Sequence, residues 1–241
     1  MFELSSLEIF LIVAVVTVAA CIQGSIGFGW AMIAAPVAVL IEPDFVPGPM
    51  ILSGLLLTVL LTYRERKNID LEGVRWMALG SVGGISMSSG ILIFISSNGF
   101  TILFSILVLM AVALSAIGLS VMLTKRNLFV AGMLSGFMGT ASSIGGPPVA
   151  LIYQHASGPK LRGTLSAFFL TLGILALFAL LAVGWLEGDD LPLALILLPG
   201  LIIGYASSRF TSGILDRYSM RPAVLILSAA AAIAVLFKAV I

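Results

Sequence analysis

The sequence predicts an all-α, polytopic membrane protein made of two inverted repeats. Each repeat has one broken or re-entrant helical hairpin plus three transmembrane helices. Three observations predict it: charge is scarce, the charges fall between long apolar runs, and two of those runs carry matching Gly-rich breaks. Of 241 residues, 60% are hydrophobic and 10% charged, with 12 Lys+Arg against 11 Asp+Glu. A soluble domain carries about 25% charged residues and needs them to solvate its surface. This composition argues against a soluble enzyme and against a disordered chain, and a net charge of +1 offers nucleic acid no basic footprint. The single cysteine, Cys21, excludes an internal disulfide and a Cys-based zinc site.

Residues 9–41, 45–63, 76–124, 127–159, 163–186, 191–208 and 222–237 contain no Asp, Glu, Lys or Arg. A spanning helix needs about 20 apolar residues, whereas an outer-membrane barrel strand shows about 10 that alternate. These runs do not alternate, so they read as helices. The N-terminus does not read as a secretory signal, because Glu3 and Glu8 occupy the place of a basic region. Apolar segments are expected at 7–40, 47–63, 73–96, 100–123, 128–155, 163–185, 191–208 and 220–239.

The first and fifth segments are too long for one span. Gly24-Ser25-Ile26-Gly27-Phe28-Gly29 interrupts the first, and the stretch from Gly139 to Pro148 interrupts the fifth. Gly costs about 1 kcal/mol and Pro about 3 kcal/mol in a helix interior, so clustering them predicts a break. The two segments align at an offset of 112, with 7 identities in 21 positions, among them Gly24 with Gly136, Gly27 with Gly139 and Pro36 with Pro148. Gly80-x-x-x-Gly84 in the third segment echoes Gly200-x-x-x-Gly204 in the seventh. The chain therefore divides into a first membrane repeat, 1–124, and a second, 125–241.

Loop charge suggests that the repeats are inverted. Loop 1–2 holds only Glu42 and Asp44, but its counterpart, loop 5–6, holds Lys160 and Arg162. Loop 2–3 holds Arg64, Arg66 and Lys67, while loop 6–7 holds Glu187, Asp189 and Asp190. Loop 3–4 has no charge, and loop 7–8 has Arg209, Arg217 and Arg221. Basic loops face the cytoplasm, and opposite bias in equivalent loops is what inversion produces. Lys125 and Arg126 precede the fifth segment and Lys160 and Arg162 follow it, so that segment should enter and leave on one side. Eight simple spans are the alternative.

Irregular backbone inside a membrane is tolerated only where protein or a water-filled cavity satisfies it, and discontinuous helices in inverted repeats point to a transporter's substrate site. In the second break, Ser142 and Ser143 can cap or hydrogen-bond. Gly145 and Gly146 offer backbone N–H groups, and Pro147 and Pro148 suit the first turn of a half-helix. The first break adds Gln23, Gly24, Ser25 and the N–H groups from Gly27 through Gly29 to Trp30. Two helix N-termini facing each other could hold a small oxyanion without a buried lysine. Gly80/Gly84, Gly132/Gly136 and Gly200/Gly204 read instead as helix-packing motifs. Arg162 reads equally as an anion-attracting group and as a snorkelling arginine, and for Arg75 the snorkelling reading leads. His155, the only histidine, reads as interfacial before it reads as a proton carrier. Phe28 could pack against a ligand, and Cys21 reads as a small apolar filler. No P-loop occurs, the Gly24–Gly29 string has the wrong glycine order for a dinucleotide fingerprint, and no acidic residue lies deep in a span.

The duplicated breaks, the string Gly145-Gly146-Pro147-Pro148 followed by Val149-Ala150-Leu151, and the eight-segment plan resemble the TauE/SafE family. The resemblance covers nearly the whole chain and implies a bacterial or archaeal permease of the cytoplasmic membrane, often an exporter, for sulfite, sulfonates or related organosulfur anions. Many members look richer in glycine at the first break, where Phe28 and Trp30 stand in this chain.

The leading expectation is a secondary transporter, in the exporting sense, of a small, sulfur-containing anion working by alternating access. Its partners are the anion and the lipid bilayer, with room for proton or ion coupling and for a homo-oligomer. It calls for no cofactor, no metal and no catalytic residue. An anion channel and an intramembrane serine hydrolase are the alternatives. For the hydrolase, Ser142 or Ser143 would need His155 as base. Twelve helical residues separate Ser143 from His155 by about 18 Å, too far for a hydrogen bond.

Overall fold

The computed structural model describes residues 4–117, 121–186, 188–215, 233–235 and 237. Among these the chain forms helices and no strand. In order they are α1 (Ser6–Ile26), α2 (Trp30–Ile41), α3 (Gly48–Arg64), α4 (Leu71–Phe94), α5 (Ser97–Ile117), α6 (Lys125–Ser142), α7 (Gly146–Tyr153), α8 (Gly158–Ala182) and α9 (Asp190–Leu215). Most of the expected eighth segment, with Arg217, Arg221 and the loop residue Glu187, lies outside the described residues.

Among the described residues, six helical stretches are long and apolar enough to cross a membrane: Ser6–Ile26, Pro43–Arg64, Leu71–Phe94, Ser97–Ala116, Gly158–Ala182 and Asp190–Thr211. The protein is a multi-pass, all-α membrane protein. Large apolar side chains such as Phe10, Phe94, Phe178 and Phe210 are exposed on its outside, where lipid replaces water as the solvent.

Both long segments break where their glycines cluster. Gly27 and Gly29 take left-handed backbone (φ 96° and 113°) between α1 and α2, and Ser143 does so (φ 62°) between α6 and α7. The break lies past the middle of each segment. α1 has 21 residues and α6 has 18, about 31 and 27 Å, whereas α2 and α7 have 12 and 8, about 18 and 12 Å. The α6–α7 turn brings the chain back on itself: a Cβ on Gly145 would sit 2.9 Å from the Ser135 carbonyl oxygen. Side chains cap three helices that begin at a polar face, with Ser5 and Glu8 forming a capping box on α1, Asp70 capping α4 and Thr124 capping α6. α2 and α7 begin inside the protein and follow glycines that cannot cap.

Two tight helix pairs join the halves. α4 lies against α6, where a Cβ on Gly80 or Gly84 would collide with the Phe129 or Met133 carbonyl, and one on Gly132 or Gly136 with that of Met77 or Ser81. α1 lies against α9 in the same manner, with Gly200 on the Val13 carbonyl, Gly204 on that of Thr17, and Gly24 on Ser208. Gly80, Gly84, Gly132, Gly136, Gly200 and Gly204 are packing surfaces, as their spacing predicts, and Gly24, expected at the site, packs against α9 in the same way.

Charge sorts to the two ends. Ion pairs Arg64–Glu65, Arg162–Glu65, Lys160–Asp70 and Lys125–Glu72 gather the end of α3 and the starts of α4, α6 and α8 at a basic end. Asp44, Asp189 and Asp190 line a depression of about 340 Å³ at the opposite, acidic end, beside Pro47 and Trp185.

Candidate functional site

The two breaks meet across a cavity of about 80 Å³. That is well under the roughly 300–1,000 Å³ of sites that hold drug-sized ligands, yet ample for a small ion and water. The first break contributes Gln23, Phe28, Gly29 and Trp30, and the second Ser143, Gly145, Gly146 and Pro147. Phe28 spans the gap: a Cβ on Gly146 would lie 3.3 Å from its side chain. α3 supplies Gly54 and Thr58, and α8 supplies Phe169, Leu172 and Gly173.

Among the described residues, no charged side chain lines the cavity. Its polarity comes from neutral groups. Gln23 is 4% exposed, and its Oε1 accepts from the Trp30 backbone N–H at 3.0 Å, doing the capping that Gly29 cannot. That leaves the Gln23 amide NH₂ as a donor. Trp30 is 5% exposed, and among the described residues neither its indole Nε1–H nor the Gln23 NH₂ has a protein acceptor. The Ser143 hydroxyl donates to the Pro47 carbonyl at 3.2 Å, which ties the second break to the acidic end. Thr58 donates to its own helix, to the Leu55 carbonyl at 2.9 Å.

The other expected site residues lie outside the cavity wall. Ser142 is fully buried and shapes the turn, donating to the Met138 carbonyl (2.7 Å) and accepting from the Ile144 N–H (3.4 Å). Gly24, Ser25, Gly27 and Arg162 gather behind the first break, on its basic side. α1 has no basic residue in its own last turn, and two arginines from elsewhere supply the lack. Arg162 donates to the Ser25 carbonyl at 3.1 Å, and Arg64 donates to the Gly24 carbonyl and to Ser208 Oγ at 2.9 Å. Cations are favoured at such a helix C-terminus. Glu65 bridges both arginines, at 3.2 Å from Arg162 and 3.4 Å from Arg64. Arg162, 7% exposed, is thus an ion-paired buried group rather than a snorkelling one.

A second cluster stands beside it. The Tyr153 hydroxyl at the end of α7 donates to Asp70 Oδ2 (3.2 Å), Lys160 lies 3.4 Å from the same oxygen, and the Asp70 N–H donates to Thr164 Oγ1 (3.0 Å). Burial pushes the Asp70 carboxyl up, but the Gly73 N–H, Lys160 and Tyr153 together hold it below its ordinary value. The segment 65–70 is therefore pinned to the start of α8 by two ion pairs.

Sequence reasoning missed the walls from α3 and α8 and the role of Arg64 and Glu65. Gly54 and Gly173 were the available signal, since both are lone glycines inside apolar spans. Gly54 faces the Trp30 indole and Gly173 faces Leu55. His155 is exposed beyond α7, on the far side of that helix from Ser142 and Ser143, and Arg75 is exposed near the start of α4.

A membrane-spanning helical bundle with two broken helices around a small cavity is the architecture of transport proteins with discontinuous helices. The sequence pattern of the sulfite exporter TauE/SafE family matches residues 12–235, and the chain belongs to that family. The family is one of membrane transporters rather than enzymes, and its name points to sulfite-type anions. No curated protein and no solved structure matches the chain.

Proposed function

We propose that this protein is a secondary transporter, in the exporting direction, that carries a small sulfur-containing oxyanion such as sulfite or an organosulfonate across the bacterial or archaeal cytoplasmic membrane. The observation that carries this reading is a pair of donors with no protein acceptor among the described residues, the Gln23 NH₂ and the Trp30 Nε1–H, on two side chains that line one small cavity. Donors left open at a cavity can serve a ligand that accepts from them. An anion accepts at every oxygen, and neutral donors bind it without holding it so tightly that it cannot leave. Backbone N–H groups at the starts of α2 and α7 complete the set, and the Ser143 hydroxyl joins it only when its bond to the Pro47 carbonyl is given up. Because Pro147 and Pro148 have no N–H, Gly145 and Gly146 are the donors α7 can offer.

In this reading the halves 1–124 and 125–241 are inverted repeats and rock about the cavity. The reciprocal packing of α1 on α9 and α4 on α6 supports it, as does the anchoring of the first break toward the basic end and the second toward the acidic end. A proton or ion gradient, or the membrane potential acting on the anion, drives export. For passage to the basic end, the bonds of Arg64 and Arg162 to the first break must part. A serine hydrolase is not favoured, since α7 separates His155 from both serines.

The test is a thermal-shift series on the detergent-solubilised protein with sulfite, sulfate, sulfoacetate, taurine and short carboxylates. A ligand of the folded state raises apparent stability by about 2.7 kcal/mol at 100 times its Kd. A shift with sulfur oxyanions and none with carboxylates is expected; equal response to all, or to none, defeats the assignment.

A further inference from the structure

We propose that Trp30, seated on Gly54, is the selectivity element of this cavity and restricts it to compact inorganic oxyanions over those that carry an organic tail. The inference rests on the anion-site reading above and narrows its substrate class. Trp30 is the first residue of α2, directly after the left-handed Gly29, so the break itself sets its direction. Its backbone is held by Gln23, and its ring is held by the absence of a side chain opposite: a Cβ on Gly54 would lie 3.2 Å from the indole nitrogen. At 5% exposure the ring is packed on its other sides, and the cavity it lines is the open space beside it.

Two consequences follow from that fixed ring. Its Nε1–H is a donor at a set position, and a site built around such a donor discriminates by it. Its bulk, with Phe28 against Gly146 on the other side, leaves a cavity of only about 80 Å³. The remaining walls are occupied by Ile51, Leu172 and Ala176, which are all buried. An oxyanion of one central atom fits against the polar part of the lining, at Gln23 and Trp30, without reaching the apolar walls. A methylene chain ending in an amine or a carboxylate would have to displace an aromatic ring and bring its second polar group into an apolar wall.

The experiment is isothermal titration calorimetry on the full solubilised chain. The probes are sulfite, sulfate, methanesulfonate, taurine and sulfoacetate, tested on wild type, Trp30→Phe, Trp30→Leu and Gly54→Ala. Wild type should prefer sulfite and sulfate over taurine and sulfoacetate. Trp30→Phe, which keeps a ring and loses the N–H, should weaken compact anions about 10-fold or more. Trp30→Leu should narrow or reverse the preference by admitting the tailed anions. Gly54→Ala, which drives the indole into the cavity, should weaken both groups while the helical circular dichroism is unchanged. Wild type that binds taurine as tightly as sulfite, or a rank order that Trp30→Leu leaves intact, overturns the selectivity role while the anion site stands. Absence of binding by every probe to wild type removes the anion site itself.

Discussion

Gly27 and Gly29 make the first break because both stand at φ near +100°, where an L side chain is strained. Gly27 has in addition the Arg162 backbone at its α-carbon: a Cβ there would lie 3.1 Å from Arg162 Cα. Gly27→Ala should therefore lower stability by about 1–2 kcal/mol from backbone strain alone, read as a fall in the melting temperature of the solubilised protein. In the second break a Cβ on Gly145 meets the Ser135 carbonyl and Leu172 at 2.9 and 3.1 Å. Gly145→Leu should abolish anion flux in proteoliposomes. Ser143→Ala removes one donor and the bond to Pro47 and should lower flux while the protein still inserts; wild-type flux in both variants would remove these residues from the site. The glycines and serines of the breaks were visible in the sequence because an apolar run has no other reason to collect them. Their division of labour was not. Ser142 and Ser143 are adjacent and chemically identical, yet one is turned into its own helix and the other into the cavity, and only the left-handed backbone at Ser143 separates them.

At the scale of elements, the ion pairs at the basic end are the part that sequence reading underestimated. Arg162 and Glu65 are 97 residues apart and belong to different halves. Loop charge says which face they share and nothing about who meets whom. Their pairing leaves a testable signature. Removing one partner of a buried ion pair costs about 3–5 kcal/mol because the other charge is stranded. Glu65→Ala strands both Arg64 and Arg162, and should lower the melting temperature more than Arg162→Ala does. A double-mutant cycle of Glu65→Ala and Arg162→Ala should show the two losses to be less than additive, and full additivity would mean the pair does not act as a unit. The α4–α6 contact predicts in the same way. Gly84→Ile forces a branched side chain against the Met133 carbonyl, and overpacking of about 1–3 kcal/mol or separation of the helices should follow, seen as a loss of monodisperse protein on size exclusion.

At the scale of the whole molecule, the charges of the described residues gather at the ends, and stability should respond to pH through the few carboxylates held there. Asp70 is the clearest, since its folded-state value lies below the ordinary one. Its contribution is present above the unfolded value of about 3.9 and is lost as pH falls through the lower folded value. Melts of wild type should fall between pH 5 and pH 3, and Asp70→Asn should flatten that dependence. The larger plan follows from the solvent. In hydrocarbon every backbone polar group must be paired, so the chain is helical wherever it is apolar, and irregular only where a cavity receives it.

That constraint is why the sequence by itself determined so much: the all-helical class, the spans, the two breaks and the family. Hydrophobic runs and glycine clusters are one-dimensional properties that a bilayer converts directly into structure. Only the tertiary structure decided which faces turn inward. The cavity's far walls, Gly54 under Trp30 and the arginines on α1's last carbonyls all come from contacts between segments remote in the chain. Packing sets such contacts, and in a uniformly apolar sequence one face of a helix carries no mark that distinguishes it from another.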